Sequence, residues 1–341
     1  MKKLGVGLIG TGWVSNEYIK AFEKNANCEV VAICSRDRAR AAAKAAEHGL
    51  RDCAAFSSLP KTLKLKTVDI VAICTPHDQH VEQGIACARA GKHVVVEKPI
   101  ALTLDGLRSL DQAIRAAGVK SITSFVLRWN PMFANIRAML DQGLIGDVYY
   151  AEVDYFHGIG PWYGSWKWLT SRKMGGSSLL MAGCHAVDGL RWLVRDEAVE
   201  VSAYSNTSKR NPLAYEYDPN IVTILRFAGG GVGKVASLVE CRMPYTYNVQ
   251  LFGDKGTIRN HQVFTTDWPG QTGWATVPTV LPDSGDVSHH PFQLEVDHFV
   301  ECILTNTESH ASVADTVKTH EICLAADLSA AQGRPVRLPL E

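Results

Sequence analysis

The chain has 341 residues, and its 35 Lys plus Arg against 35 Asp plus Glu leave no net charge. That balance supplies no field for gripping a polyanion, which argues against nucleic acid and against an anionic membrane surface. At 46% hydrophobic and 21% charged the composition is that of a globular protein, the length calls for two domains, and no apolar run is long enough to span a bilayer.

The opening run, Leu4-Gly5-Val6-Gly7-Leu8-Ile9, leads straight into a glycine turn and is predicted to be a first strand, not a signal peptide. A helix is predicted near Val14–Glu23, a strand over Glu29–Cys34 and an Ala/Arg/Lys-rich helix from Arg38 to His48. A strand over Val68–Cys74 then precedes a helix from Gln79 to Ala90, with Gly91 placed to end it. The series closes with a strand over His93–Glu97, a helix from Leu104 to Ala117 before Gly118, and a strand over Ser121–Val126. Strands that read as unbroken apolar runs are buried on both faces, and their alternation with helices predicts a doubly wound parallel sheet. Residues 1–126 are therefore expected to form a doubly wound, Rossmann-type domain.

From 127 to 341 the rhythm changes. Asp147–His157, Val199–Asn206, Ile221–Phe227, Val232–Cys241, Tyr247–Gly253 and Thr257–His261 read as successive strands divided by glycine turns. The expectation is an α+β domain on a large, mainly antiparallel sheet, serving substrate binding and oligomerisation. Helices are predicted at Ser177–Val194, Phe292–Leu304 and Val313–Gln332. In the second of these Phe292, Val296, Phe299, Val300 and Ile303 recur at helical spacing, a core pattern. A Pro/Gly-rich stretch from Pro269 to Pro291, carrying His289 and His290, is the one long loop. Nine scattered cysteines without a C-x-x-C pair give no metal or disulfide framework and fit small buried hydrophobes in a reducing cytoplasm.

Gly10-Thr11-Gly12-Trp13-Val14-Ser15 sits between the first strand and the first helix. Gly10 permits a tight turn, and Gly12 lets the backbone approach a pyrophosphate at the helix N-terminus. Ser15 replaces the third glycine of the fingerprint. At the end of the second strand stands Ser35-Arg36-Asp37. A carboxylate at the strand tip would bind a ribose diol, whereas Ser35 with Arg36 suits a 2′-phosphate and favours NADP over NAD. The alternative is a solvated, charged helix start.

Two further segments, Cys74-Thr75-Pro76-His77-Asp78-Gln79-His80 and Val94-Val95-Val96-Glu97-Lys98-Pro99, follow strand ends, where ligands bind in open α/β sheets. Together with the glycine turn and Gly175-Gly176-Ser177-Ser178-Leu179-Leu180-Met181-Ala182-Gly183-Cys184-His185-Ala186-Val187-Asp188, they resemble the Gfo/Idh/MocA family of NAD(P)-dependent oxidoreductases. The resemblance implies that Lys98 lies beside the nicotinamide and the reacting hydroxyl. It implies cofactor contacts from Thr75, Pro76, His80 and Glu97, a domain-junction segment at Arg128-Trp129-Asn130-Pro131, and an acid/base or substrate role for His185. Where the family commonly carries an aspartate, four residues before that histidine, this chain has Met181. The catalytic set is thereby reduced to Lys98 and His185.

Tyr155, Phe156, His157, Trp162, Tyr163, Trp166 and Trp168 crowd into fourteen residues of a chain only 8% aromatic. Their flat faces with polar edges suit a sugar ring, and Tyr155, Trp162 and Trp166 join Arg128, Trp129, Met181 and His185 as candidate substrate contacts. The alternative is a clamp that packs the loop, or a subunit contact. The resulting expectation is hydride transfer between NAD(P) and a hydroxyl or carbonyl of a sugar, sugar derivative or cyclitol, by a cytoplasmic homodimer or homotetramer. The alternatives are a redox-neutral glycosidase or lyase that uses bound cofactor transiently, and an inactive dinucleotide-binding sensor.

Overall fold

A computed structural model describes residues 2–282 and 290–341, so His289 lies outside the described residues. The chain divides into two units, Met1–Ser124 with Pro291–Lys318, and Phe125–His290 with Thr319–Glu341.

In the first unit six described strands pair in parallel: β1 (Leu4–Ile9), β2 (Cys28–Cys34), β3 (Ala54–Phe56), β4 (Ile70–Ile73), β5 (His93–Val96) and β6 (Ser121–Thr123). Their order is β3-β2-β1-β4-β5-β6, the doubly wound arrangement. The connecting helices are α1 (Trp13–Lys24), α2 (Arg38–Glu47), α3 (Leu59–Leu63), α4 (His80–Arg89) and α5 (Leu104–Ala117). The ends of α5 follow from its sequence: the Thr103 hydroxyl accepts from the Gly106 amide at 3.1 Å, and Gly118 closes the helix at φ 64°.

The boundary expected after residue 126 falls after Ser124, and Pro291–Lys318 returns to the first unit instead of staying in a continuous 127–341 domain. The cause is α10 (Phe292–Leu304), whose apolar row packs on α1. The Phe292 ring meets Tyr18 edge-on with centroids 5.3 Å apart, and the Asn25 amide donates to Asp297 at 2.7 Å. Helical spacing correctly marked that face as buried, but not what it is buried against.

The second unit holds a nine-stranded sheet among its described residues. Its strands are β7 (Val148–Phe156), β8 (Ala198–Asn206), β9 (Asn220–Phe227), β10 (Val232–Leu238), β11 (Thr246–Gly253), β12 (Gly256–Arg259), β13 (Gln262–Thr265), β14 (Ala275–Thr276) and β15 (Val336–Arg337). β7 runs parallel to β10 and antiparallel to β11; every other pairing is antiparallel. The predicted strand Thr257–His261 ends early because Asn260, at φ 53°, turns the chain into β13. On β9, Ile221, Thr223, Leu225 and Phe227 point inward while Val222 and Ile224 stay exposed.

The helices of this unit are α6 (Pro131–Asp141), α7 (Trp166–Leu169), α8 (Arg172–Gly175) and α9 (Cys184–Val194), while α11 (Val313–Gln332) begins in the first unit and ends here. α6 was not predicted, although its sequence signal is present. Asn130 caps it by accepting from the Met132 amide at 2.9 Å, and Pro131 occupies the first helical position. The predicted helix Ser177–Val194 is interrupted by a π-helical turn over Leu179–Gly183, immediately before His185.

Candidate active site

The turn between β1 and α1 is built for close approach. Gly10 sits at φ 102°, and a Cβ there would collide with the Cys74 carbonyl. Gly12 takes the N-cap position of α1 with no side-chain cap, and nothing lies within 4 Å of where its Cβ would stand. The first turn of α1 carries no acidic residue. Helix amides therefore face an open, positive helix end, which fits a pyrophosphate. Ser15 is fully buried and its hydroxyl donates to the Gly12 carbonyl at 2.6 Å, so the third fingerprint position holds a small residue that stabilises the turn. Beside it Thr11 and Val14 are half-buried and Trp13 is exposed.

Across the turn, the Ser35 hydroxyl stands 3.5 Å from that of Thr11, and Arg36 is exposed. Asp37 accepts from the Ala39 amide at 2.8 Å as the N-cap of α2, so its carboxylate is engaged in ending the loop.

Cys74, Glu97 and Ser124 follow the C-terminal ends of β4, β5 and β6, and Lys98 is partly exposed beside them. The Thr75 hydroxyl donates to Gln83 at 2.7 Å, fixing the turn that continues through Pro76. His80, expected at the cofactor, is fully buried. Its Nδ1 and Nε2 each lie 2.8 Å from a carbonyl, of Pro99 and of Thr75. Burial pushes this imidazole below its usual range, opposed by the two carbonyls. A neutral ring carries one N–H and donates to one of these carbonyls, so His80 sits between the Thr75 turn and the segment carrying Lys98 and is bonded to one of them. It lies behind the surface of the site, packed between those two segments.

In the second unit, His185 is the second residue of α9 and only 5% exposed. Its ring stacks on Tyr155 at 5.8 Å and 19°, and meets Phe125 edge-on at 5.7 Å. Its carbonyl accepts from the Tyr247 hydroxyl at 2.6 Å. Tyr155, expected to touch substrate, is instead the buried shelf under His185, and burial raises its phenol well above the usual value. Tyr245 and Tyr247 complete this wall and were missed in the sequence. Tyr245 immediately precedes β11 and Tyr247 lies in it, two residues on and paired in register to Tyr155, and both rings meet Tyr155 edge-on.

Arg128, also expected at the substrate, is buried in a two-pronged pair with Asp188. Its Nε and Nη2 donate to the carboxylate at 2.7 and 2.6 Å, and its guanidinium lies 4.9 Å over the Trp192 ring. Thr319 adds a third hydrogen bond to Asp188 at 3.1 Å. Both side chains are almost completely enclosed, so this pair holds helices together. Met181 is buried within the π-helical turn, Trp129 and Trp166 are half-buried, and Trp162 is 75% exposed.

Residues 4–125 match the oxidoreductase family with an NAD-binding Rossmann fold, and residues 133–259 match the GFO/IDH/MocA C-terminal domain. A 1,5-anhydro-D-fructose reductase of Ensifer adhaerens is 29% identical over 76% of each chain. A D-apiose dehydrogenase of Paraburkholderia graminis is 28% identical over 99% of this chain and 90% of its own. Levoglucosan dehydrogenase, solved with NADH and levoglucosan, shares the fold at a TM-score of 0.89 and 24% identity, covering 99% of this chain and all of its own. The open glycine turn, the lysine at the strand crest and the histidine on its aromatic shelf thus occur in a chain whose two halves both match one family: the protein belongs to the Gfo/Idh/MocA oxidoreductases.

Proposed function

We propose that the protein transfers a hydride between a nicotinamide dinucleotide and a hydroxyl or carbonyl group of a sugar, sugar derivative or cyclitol. The observation that carries this reading is the uncapped α1 terminus at Gly12, on the same strand-end crest as Lys98. Gly10, Thr11, Gly12, Trp13 and Val14 hold the pyrophosphate, and the Thr75–Pro76 turn and Lys98 flank the nicotinamide. The bound cofactor supplies the hydride acceptor or donor. Lys98 orients the reacting oxygen by hydrogen bonding, and His185 takes or returns its proton. Met181 offers no carboxylate to share that proton. The exposed Trp162 and the half-buried Trp166 offer faces to the C–H side of a sugar ring. A panel of sugars and cyclitols, followed at the nicotinamide absorbance with both cofactors, tests the reading. Absence of turnover throughout, with tightly held cofactor, would replace it with redox-neutral chemistry.

The finer cofactor choice is NADP. Ser35 and the exposed Arg36 stand where a carboxylate would exclude a 2′-phosphate, and Asp37 is occupied as a cap. Ser35→Asp is expected to weaken NADP binding by about tenfold while NAD changes less, through a like-charge contact with the phosphate. A wild-type protein that binds NAD more tightly than NADP overturns this choice.

Tyr149, Tyr204, Val222, Ile224 and Val232 are large apolar side chains exposed on the strands of the nine-stranded sheet. Such a surface supports a homodimer or homotetramer. Light scattering should give a mass of at least two chains, and Ile224→Lys should shift it toward one. A monomeric wild type refutes the assignment. No described helix is long and apolar enough to cross a membrane. No disulfide joins any of the nine cysteines, which supports a cytoplasmic location.

A further inference from the structure

At the crest formed by Cys74, Glu97 and Ser124, the first unit brings in two carboxyl groups. One belongs to Glu97 and the other to Glu295 of α10, which is 1% exposed. The Ser124 amide donates to the Val96 carbonyl at 2.9 Å, which sets Ser124 beside the strand end that carries Glu97, and the Tyr18 hydroxyl links Ser124 to Glu295. The Tyr18 hydroxyl lies 2.6 Å from Ser124 Oγ and 3.2 Å from Glu295 Oε1, and its single proton serves one of them. Glu97 Oε1 and Glu295 Oε2 are buried with no hydrogen-bond partner.

Two ionised carboxylates so enclosed repel each other and lose hydration, and such pairs characteristically keep one proton between them. Burial raises both carboxyls above the usual range. Glu97 adds to the rise at Glu295, while the Lys98 charge opposes it at Glu97. The other titratable groups facing the pair are Tyr18 and Cys74, both pushed up by burial and by the two carboxyls. Because Ser35 assigns the adenine half of the site to β1–β3, the pair lies under the β4–β6 half, which receives the nicotinamide.

We propose that Glu97 and Glu295 hold one proton between them and leave a single negative charge under the nicotinamide half, so that the oxidised dinucleotide, whose ring is cationic, binds in preference to the reduced form. This rests on the dinucleotide reading above. The proton count is measured without cofactor. Infrared spectra of the wild-type protein at neutral pH should contain one buried carboxylic-acid carbonyl band that E97Q/E295Q lacks. Titrations with each dinucleotide should then show the double variant losing affinity for the oxidised form by on the order of tenfold relative to the reduced form. In the wild type the same ratio should rise at alkaline pH as the shared proton leaves, which keeps the test available if the double variant does not fold. Absence of the band, or a ratio unchanged both in the double variant and across pH, overturns the proposal. If the wild type binds neither dinucleotide while the band persists, the functional reading falls and takes the cofactor preference with it.

Discussion

Lys98→Met should lower kcat by about 10²–10⁴-fold, the usual loss on removing a positioned acid/base or hydrogen-bonding group, while dinucleotide still binds. The apolar run of β5 ends at Val96 and delivers Lys98 to the strand-end crest, partly exposed and next to the segment against which His80 is buried. Methionine keeps the length and apolar stem and removes only the ammonium. Binding should survive because the glycine turn at Gly10–Val14, proposed to hold the pyrophosphate, lies elsewhere on the crest. The companion substitution, His185→Asn, keeps a hydrogen-bonding side chain that cannot accept a proton. It separates the two roles: Asn at 185 should abolish most turnover and the acid limb of the oxidation profile. Near-normal kcat in Lys98→Met would sink the assignment of Lys98. Retention of the acid limb in His185→Asn would leave His185 as a substrate ligand only.

Asp188→Ala should destabilise the protein by about 3–5 kcal/mol, because it leaves the Arg128 guanidinium buried without its carboxylate. For a chain of this size that is a fall in Tm of about 4–7 °C by calorimetry or circular dichroism. The magnitude follows from burial and not from the attraction itself. Both side chains are almost fully enclosed, so water cannot replace the lost partner. The paired substitution Arg128→Met with Asp188→Leu should therefore recover much of the loss, since two apolar groups of similar volume leave no stranded charge. An Asp188→Ala protein that melts with the wild type would mean that the pair is not the buried tie described. Arg128 would then return as a candidate substrate contact.

The sequence by itself determined what depends on neighbours along the chain. Alternating apolar runs and helices marked the parallel sheet, because strands covered on both faces have no polar positions to alternate. The Gly10–Ser15 turn, the Thr75–Pro76 turn and Lys98 were readable because each is set by local backbone geometry at a strand end. Even the missed α6 carried its mark in Asn130-Pro131, and the early end of β12 carried its own in Asn260.

Tertiary structure alone decided which distant partner each buried group meets. An apolar face on α10 says that it is covered and not by what, so only the fold could return that helix to the first unit and set Glu295 3.2 Å from the Tyr18 hydroxyl. The same holds for Arg128. A guanidinium in a junction segment reads equally as a substrate ligand or a structural cation, until Asp188, sixty residues on, is found 2.6 Å away. Tyr155 became a shelf and His80 a brace for the same reason. Spacing along a chain fixes the face on which a side chain stands, whereas the hydrogen bonds and ring contacts that decide its role are made with residues whose position in sequence carries no such constraint.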